Sequence, residues 1–385
     1  DVIPGMDGRL ILHSGPPIAW ENMCGPQQGA VMGAMMFEGW TKSPEEAREM
    51  MGRGEAELAP CHHLGAVGPM AGVISPSMPV WIVRDETTGR RAFCNFNEGL
   101  GKVLRFGAYG SDVLDRLGWM GRELAPVLQA ALGELGGLEL KPLMSQALHM
   151  GDEVHNRNAA ATSLFFRKLA PAALKSNADP ARVAEALGFI AGNDHFFLNL
   201  SMAACKSMLD AAAGTPDSSL VTAMARNGVE FGIRIAAFPD RWFVSEAPMV
   251  DGLFFPGFSA RDAAPDLGDS AITETAGLGG FAMAAAPAIV QFVGGAVGDA
   301  LRNSRRMQRI TQGRNPMFSL PMLDFAGTAA CIDIRKVVDT GILPVINTGI
   351  AHKDPGVGQI GAGLTEAPLD CFTQALAALA GAQDR

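Results

Sequence analysis

Seven histidines are spread along the chain, each close to glycine, proline, asparagine or an acid where an element is expected to end: His13, His62, His63, His149, His155, His195 and His352. Imidazole carries the proton that moves near neutral pH, so such placement points to proton transfer or carbonyl polarisation. The densest block is 149–158, HMGDEVHNRN. Wound as a helix, it lines His149, Asp152 or Glu153, and Asn156 along one face at i, i+3 or i+4, i+7 spacing. Three readings stand side by side: a metal site from His149, Asp152 or Glu153, and His155; a buried polar network; or a substrate pocket using Arg157, Asn158 and a histidine. The spacing is not HExxH and no cysteine joins it, so no metal and no cofactor are assigned.

Four further blocks carry polar chemistry. Asn95, Asn97 and Glu98 with Lys102 and Arg105 suit a carboxylate or carbamoyl group, because amides donate and accept while bases hold anions. A capped helix start with charge pairs reads equally well there. Thr222, Arg226, Asn227, Glu230 and Arg234 lie on an expected hairpin, where the two arginines share a face if register holds and clamp an anion, or form a plain charged face. Asn347, Thr348, His352 and Lys353 follow an apolar run, the place where α/β folds put ligand contacts, or else a simple loop. In 265–289, Asp266, Asp269, Ser270, Thr273, Glu274 and Thr275 precede Gly277, Gly279 and Gly280. A strand or loop end bending through these glycines into a helix offers bare amides to an anion. The plain alternative is close packing through Gly and Ala.

The elements that must position these groups alternate short strands, glycine turns and helices. A strand is expected at 10–14 and a glycine-rich helix start in 23–40. A second helix opens at Ser43-Pro44-Glu45-Glu46, with serine as cap, proline in the first turn and acids next. Residues 80–84 and 90–96 flank a turn at 86–89, giving a hairpin. Helices are expected over 112–135, over most of 140–174 with a break at Pro171, at 180–191, 196–213 and 369–380. Alternating apolar residues on either side of Asn227-Gly228 give the clearest hairpin. The fold class is α+β, with mixed sheets, glycine-rich turns and a helix-rich middle subdomain at 112–213 between α/β domains at 1–111 and 214–385.

Composition narrows the function. The 385 residues carry 48% hydrophobic and 18% charged side chains, so the chain buries real cores. With 46 glycines, it calls for many special turns. A net charge of −9 and one tyrosine argue against nucleic acid. Six scattered cysteines without a CxxC pair fit reduced thiols in the cytoplasm. The uncharged run 275–298 is long enough for a bilayer, but its Gly/Ala content, Pro287 and Gln291 favour a buried helix followed by a strand at 288–293. The sequence starts at Asp1 without methionine or signal peptide and reads as a fragment.

Seven of these blocks together, PCHHLGAVGPMAGVISPSMPV (60–80), CNFNEGLGKVLRFGAYG (94–110), HMGDEVHNRNAA (149–160), GNDHFFLNLSMAACK (192–206), VTAMARNGVEFGIR (221–234), GDSAITETAGLGGFAMAAAP (268–287) and LPVINTGIAHKDPGVGQIGAG (343–363), resemble the AllG (YlbE-like) family over nearly the whole chain. The resemblance implies a subunit of oxamate carbamoyltransferase in allantoin breakdown, converting oxalurate and phosphate to oxamate and carbamoyl phosphate with FdrA-like and AllH-like partner subunits in a larger oligomer. The chain lacks the Ser-Thr-Arg-Thr phosphate loop of ordinary transcarbamoylases. On this reading Arg226 and Lys353, with the Gly277–Gly280 amides, hold phosphate or carboxylate. A histidine (His149, His195 or His352), with Glu274, polarises the carbonyl or moves the proton, and Asn95, Asn97 and Asn347 orient the carbamoyl amide. The alternatives are a non-catalytic scaffold or regulatory subunit and a metal-dependent amidohydrolase.

Overall fold

The computed structural model describes residues 2–383. Parallel strands β1 (Leu10–His13) and β2 (Glu57–Pro60) are joined through helices α1 (Gly25–Phe37) and α2 (Pro44–Gly52). Ser43 caps α2 by accepting the Glu46 amide at 3.2 Å, with Pro44 opening the helix. The glycines of α1 permit close approach: a Cβ on Gly29 would stand 2.3 Å from the Gly107 carbonyl oxygen. Strands β3 (Ala66–Val67), β4 (Val80–Arg84) and β5 (Arg91–Asn95) form a sheet in the order β3-β5-β4, and β4 and β5 make the expected hairpin.

The middle is helical. α3 (Ser111–Trp119) runs through one π-turn at Met120–Leu124 into α4 (Ala125–Leu135), followed by α5 (Leu140–His149), α6 (Ala159–Lys175), α7 (Pro180–Ala191) and α8 (Leu198–Asp210). Two expectations are corrected here. Residues 150–158 form a loop rather than a helix, so the block after His149 presents no helical face. Pro171 lies inside α6 without ending it; burial of Leu164, Phe165, Leu169, Ala172 and Ala173 outweighs the cost of about 3 kcal/mol for an interior proline. These helices share a core with Trp81, Phe96 and Phe318.

Strands β6 (Val221–Asn227), β7 (Glu230–Ile235), β8 (Phe238–Glu246), β9 (Asp251–Phe254) and β10 (Leu267–Gly268) follow, and one sheet has the order β10-β6-β7-β8. The expected hairpin is present, with Arg226 opposite Phe231 and Gly228 at φ 79° in the turn. Arg226 and Arg234 nevertheless point to opposite faces, since Arg234 lies three residues from Phe231.

The stretch after β10 differs from expectation. Helix α9 (Ile272–Thr275) precedes the glycines instead of following them, and short 3-10 turns at Gly279–Phe281, Met283–Ala285 and Pro287–Ile289 lead to α10 (Val290–Val293). No strand forms at 288–293. Then come α11 (Val297–Met307), the antiparallel pair β11 (Thr311–Leu320) and β12 (Ala326–Ile332), α12 (Ile334–Thr340), β13 (Val345–Ala351), β14 (Gln359–Glu366) and α13 (Leu369–Gln383). Strands β13, β14 and β9 form the last sheet, which places Asn347 and Thr348 within β13 rather than beyond it. The architecture is mixed α+β. No helix among the described residues is long and apolar enough to cross a membrane.

Candidate functional site

A cleft opens where loops from every part of the chain meet. His155 and Asn156 come from the loop between α5 and α6, His195 from the α7–α8 turn, Arg105 from the segment after β5, Ser270 from the β10–α9 corner and Gln359 from β14. Leu198, Phe106 and Met70 supply apolar walls.

Behind the cleft a buried carboxylate orients one imidazole. Glu274 Oε1 receives the Gly280 amide at 2.9 Å and the Asn347 amide at 3.3 Å, while Oε2 receives the Thr273 hydroxyl at 3.0 Å. His155 Nδ1 stands 2.7 Å from Glu274 Oε1. A carboxylate that only accepts requires Nδ1 to carry the proton, which leaves Nε2 as the free end of the ring. Nε2 has no hydrogen-bond partner among the described residues, and the ring lines the cleft. Beside it, Glu153 accepts the Asn347 side-chain amide at 3.0 Å, and burial pushes its carboxyl up to about 7.

The glycines explain how this pair is reached. A Cβ on Gly279, which has φ 55°, would fall 2.1 Å from Glu274 Oε1 and 3.0 Å from His155 Nδ1. On Gly280 it would meet the Val345 oxygen at 2.2 Å, and on Gly277 the Ala329 oxygen at 2.3 Å. Their amides are all engaged within the chain: Gly277 on Glu274 O, Gly279 on Glu153 O and Gly280 on the Glu274 carboxylate. Of the three amides only that of Gly280 holds an anion, and it is a protein carboxylate.

Arg105 and His195 complete the polar wall. Arg105 gives Nε and Nη2 to the Gly99 oxygen at 3.2 and 2.6 Å, and Nη1 has no partner among the described residues. His195 is partly exposed, and burial of its ring with the Arg105 charge nearby holds it down to about 3, so it is a neutral imidazole. The Ser270 hydroxyl has no partner among the described residues and faces the same space. Together these groups offer a proton acceptor, a neutral polariser and a cation to a small anionic ligand.

Comparison with known proteins then decides the family. The model of the family described as "Oxamate carbamoyltransferase subunit AllG" matches residues 56–270. The chain belongs to the AllG family. It is 51% identical over 376 residues to "Oxamate carbamoyltransferase subunit AllG" of Escherichia coli (strain K12), covering 97% of this chain and 90% of that protein. It is 49% identical to "Uncharacterized protein YahG" of the same organism, over 98% of this chain and 80% of the relative. A crystal structure of a conserved protein of unknown function from Enterococcus faecalis V583 superposes with a TM-score of 0.96 at 49% identity, covering 98% of this chain and 91% of that one.

Several residues singled out in this AllG-family sequence lie elsewhere. Arg226 is fully buried and bidentate to Asp266 at 2.7 and 2.9 Å, and it also bonds Gly268 O and Thr348 Oγ1, so its fork is occupied. Asn227 closes the hairpin by accepting the Val229 and Glu230 amides, and Thr222 is buried in β6. Asn95 and Asn97 belong to a buried amide network with Asn199 and Asn193. Lys102 is paired with Asp112 on the surface, and exposed Arg157 donates to Gly151 O. His149 is an exposed partner of Ser319, His352 packs on Phe258, and Lys353 donates to Arg261 O. Asn158 bonds the His155 carbonyl and so shapes the loop, while Asn347 ties Glu153 to Glu274. Of the residues singled out, the cleft gathers His195 at its wall and Glu274, Asn347 and the glycines behind it. The cleft also gathers His155, Asn156, Arg105 and Ser270, which the polar blocks already named, and Gln359 is the addition. His155 stood inside the densest polar block, but reading that block as a helix turned it away from the face of His149 and Asn156.

Proposed function

We propose that this chain binds the substrates of a carbamoyltransferase within a multi-subunit complex of the cytoplasm, together with FdrA-like and AllH-like subunits. The reaction is oxalurate plus phosphate giving oxamate plus carbamoyl phosphate. The observation that carries this reading is the free Nε2 of His155, fixed by Glu274 at the floor of a cleft that also holds Arg105 and neutral His195.

The proton balance suits such a group. A phosphate oxygen attacks the carbamoyl carbon, the C–N bond to the oxamate nitrogen breaks, and that nitrogen leaves needing a proton. His155 Nε2 takes the proton of hydrogen phosphate and returns it to the departing nitrogen, so no proton is gained or lost overall. Glu274 favours the transient imidazolium. Arg105 Nη1 faces the substrate carboxylate or phosphate, and neutral His195 donates to the carbonyl oxygen as charge builds there.

The test is phosphate-dependent oxalurate cleavage by the chain assembled with its two partner subunits. His155→Asn is expected to lower turnover by about 10²- to 10⁴-fold, the usual share of a positioned acid–base. Unchanged turnover in that variant would overturn the assignment and favour a scaffold subunit.

A further inference from the structure

The sheet of β13, β14 and β9 has one closed edge and one open edge. Outside β13 the chain itself is bonded, with the Ala264 amide on the Ala351 oxygen at 2.9 Å and the Asn347 amide on Glu274 at 3.3 Å. Outside β9 nothing pairs among the described residues. The Phe255 amide meets the Ile360 oxygen at 2.7 Å, and the register sets Leu253 against Ala362 and Asp251 against Leu364. Bonding alternates along an antiparallel strand, so residues 251, 253 and 255 bond β14, while the amides and carbonyls of Gly252 and Phe254 point outward.

Bare strand edges recruit other strands, and charge, proline or a bulge ordinarily guards them. β8, at the edge of the four-stranded sheet, carries Pro239 with exposed Asp240 and Arg241. β9 holds no basic residue, no proline and no register shift. Apolar side chains stand out in and around it instead: Met249 is 50% exposed, Leu253 49%, Phe255 37% and Phe258 36%. Alternation puts Leu253 and Phe255 on one face of the sheet.

We propose that β9 pairs antiparallel with β9 of a second copy of this chain, about a two-fold axis at Leu253. Gly252 and Phe254 lie symmetrically about Leu253, so each outward residue of one copy meets the other outward residue of its mate, and every such pair exchanges both its N–H···O bonds. Leu253 then faces its own counterpart, and the two three-stranded sheets become one continuous sheet. Residues 249–258 offer roughly 500 Å² per copy, about 1,000 Å² for the pair, the lower limit of a specific interface. Gly349 of β13 and Gln359 of β14 line the cleft, so the pairing hangs the clefts of both copies on one sheet. Association is read without substrate, so this interface and the carbamoyl-transfer reading stand or fall separately.

Sedimentation of the whole chain from about 1 µM to about 100 µM tests it, the range in which a small interface associates. A monomer–dimer equilibrium is expected, with slower deuterium exchange at the Gly252 and Phe254 amides as the dimer fills. Leu253→Lys and Leu253→Glu should each weaken the dimer by about tenfold or more, because position 253 meets its own like charge across the axis. An equimolar mixture of the two variants should associate again, since that register sets lysine against glutamate. Ile82→Lys, at an exposed position on β4, should leave the dimer unchanged. Thermal melts show that the variants are folded; if they are not, amide exchange in the native chain decides. A chain that stays monomeric throughout would overturn the proposal and leave the edge to a strand of another protein. A dimer indifferent to charge at position 253, a mixture no tighter than either variant, or Gly252 and Phe254 amides that exchange alike in monomer and dimer would each overturn it as well.

Discussion

At the residue scale, Glu274 spends its whole accepting capacity on one task. Three N–H groups and one hydroxyl converge on its two oxygens, and only the His155 contact leads to the cleft. Glu274→Gln keeps the shape and an accepting oxygen but removes the charge that favours the imidazolium. Turnover of the assembled enzyme should fall by about ten- to a hundredfold with little change in the KM for phosphate, as when a residue oriented by a neighbour loses that neighbour. Titration offers a second test. Burial raises Glu153 from 4.5 to about 7 and Asp269 from 3.8 to about 7. Between those limits the folded chain keeps protons that the unfolded chain releases. The stability they contribute is therefore complete below about pH 4 and is lost as pH rises through about 7. The melting temperature should fall between about pH 5 and about pH 7, and Glu153→Gln, which is permanently uncharged, should reduce that fall. A slope unaffected by the substitution would show that Glu153 is not protonated in the folded chain.

At the element scale, the turn after α9 exists because no side chain fits between Glu274, His155 and β13. Gly279→Ala must adopt φ 55° with its Cβ against both members of the pair. It is expected to cost about 1–3 kcal/mol and to displace Glu274 from His155, seen as lost turnover in a chain that still melts cooperatively. Full activity in Gly279→Ala would mean that the pair tolerates movement and is not the catalytic unit. The same stretch shows where sequence reasoning stops. The α2 opening and the two hairpins were legible, because a serine cap, an N1 proline and turn residues act on neighbours in sequence. The run 275–298 was not, because its glycines and alanines answer to carbonyls of β12 and β13 that lie far along the chain. Pro171 misled for the same reason: burial of one face of α6 decided the outcome.

At the scale of the whole molecule, polar blocks were visible in the sequence, but which of their side chains face a ligand was not. Asn95, Asn97, Arg226 and Asn227 have the chemistry of substrate binding and spend it on other parts of the same chain. Arg226 shows what that spending does. From β6 it reaches Asp266 and Gly268 O beside β10, and Thr348 on β13, so one guanidinium joins segments from across the C-terminal half. Arg226→Met should leave Asp266 as a buried, unpaired carboxylate and cost about 3–5 kcal/mol, measured as a shifted denaturation midpoint. Arg226→Met with Asp266→Leu removes both charges and should recover most of that loss, because a buried pair repays little more than its own desolvation. Were Arg226 instead a ligand clamp, the single variant would keep its stability and raise the KM for phosphate, and the double variant would be no better than the single.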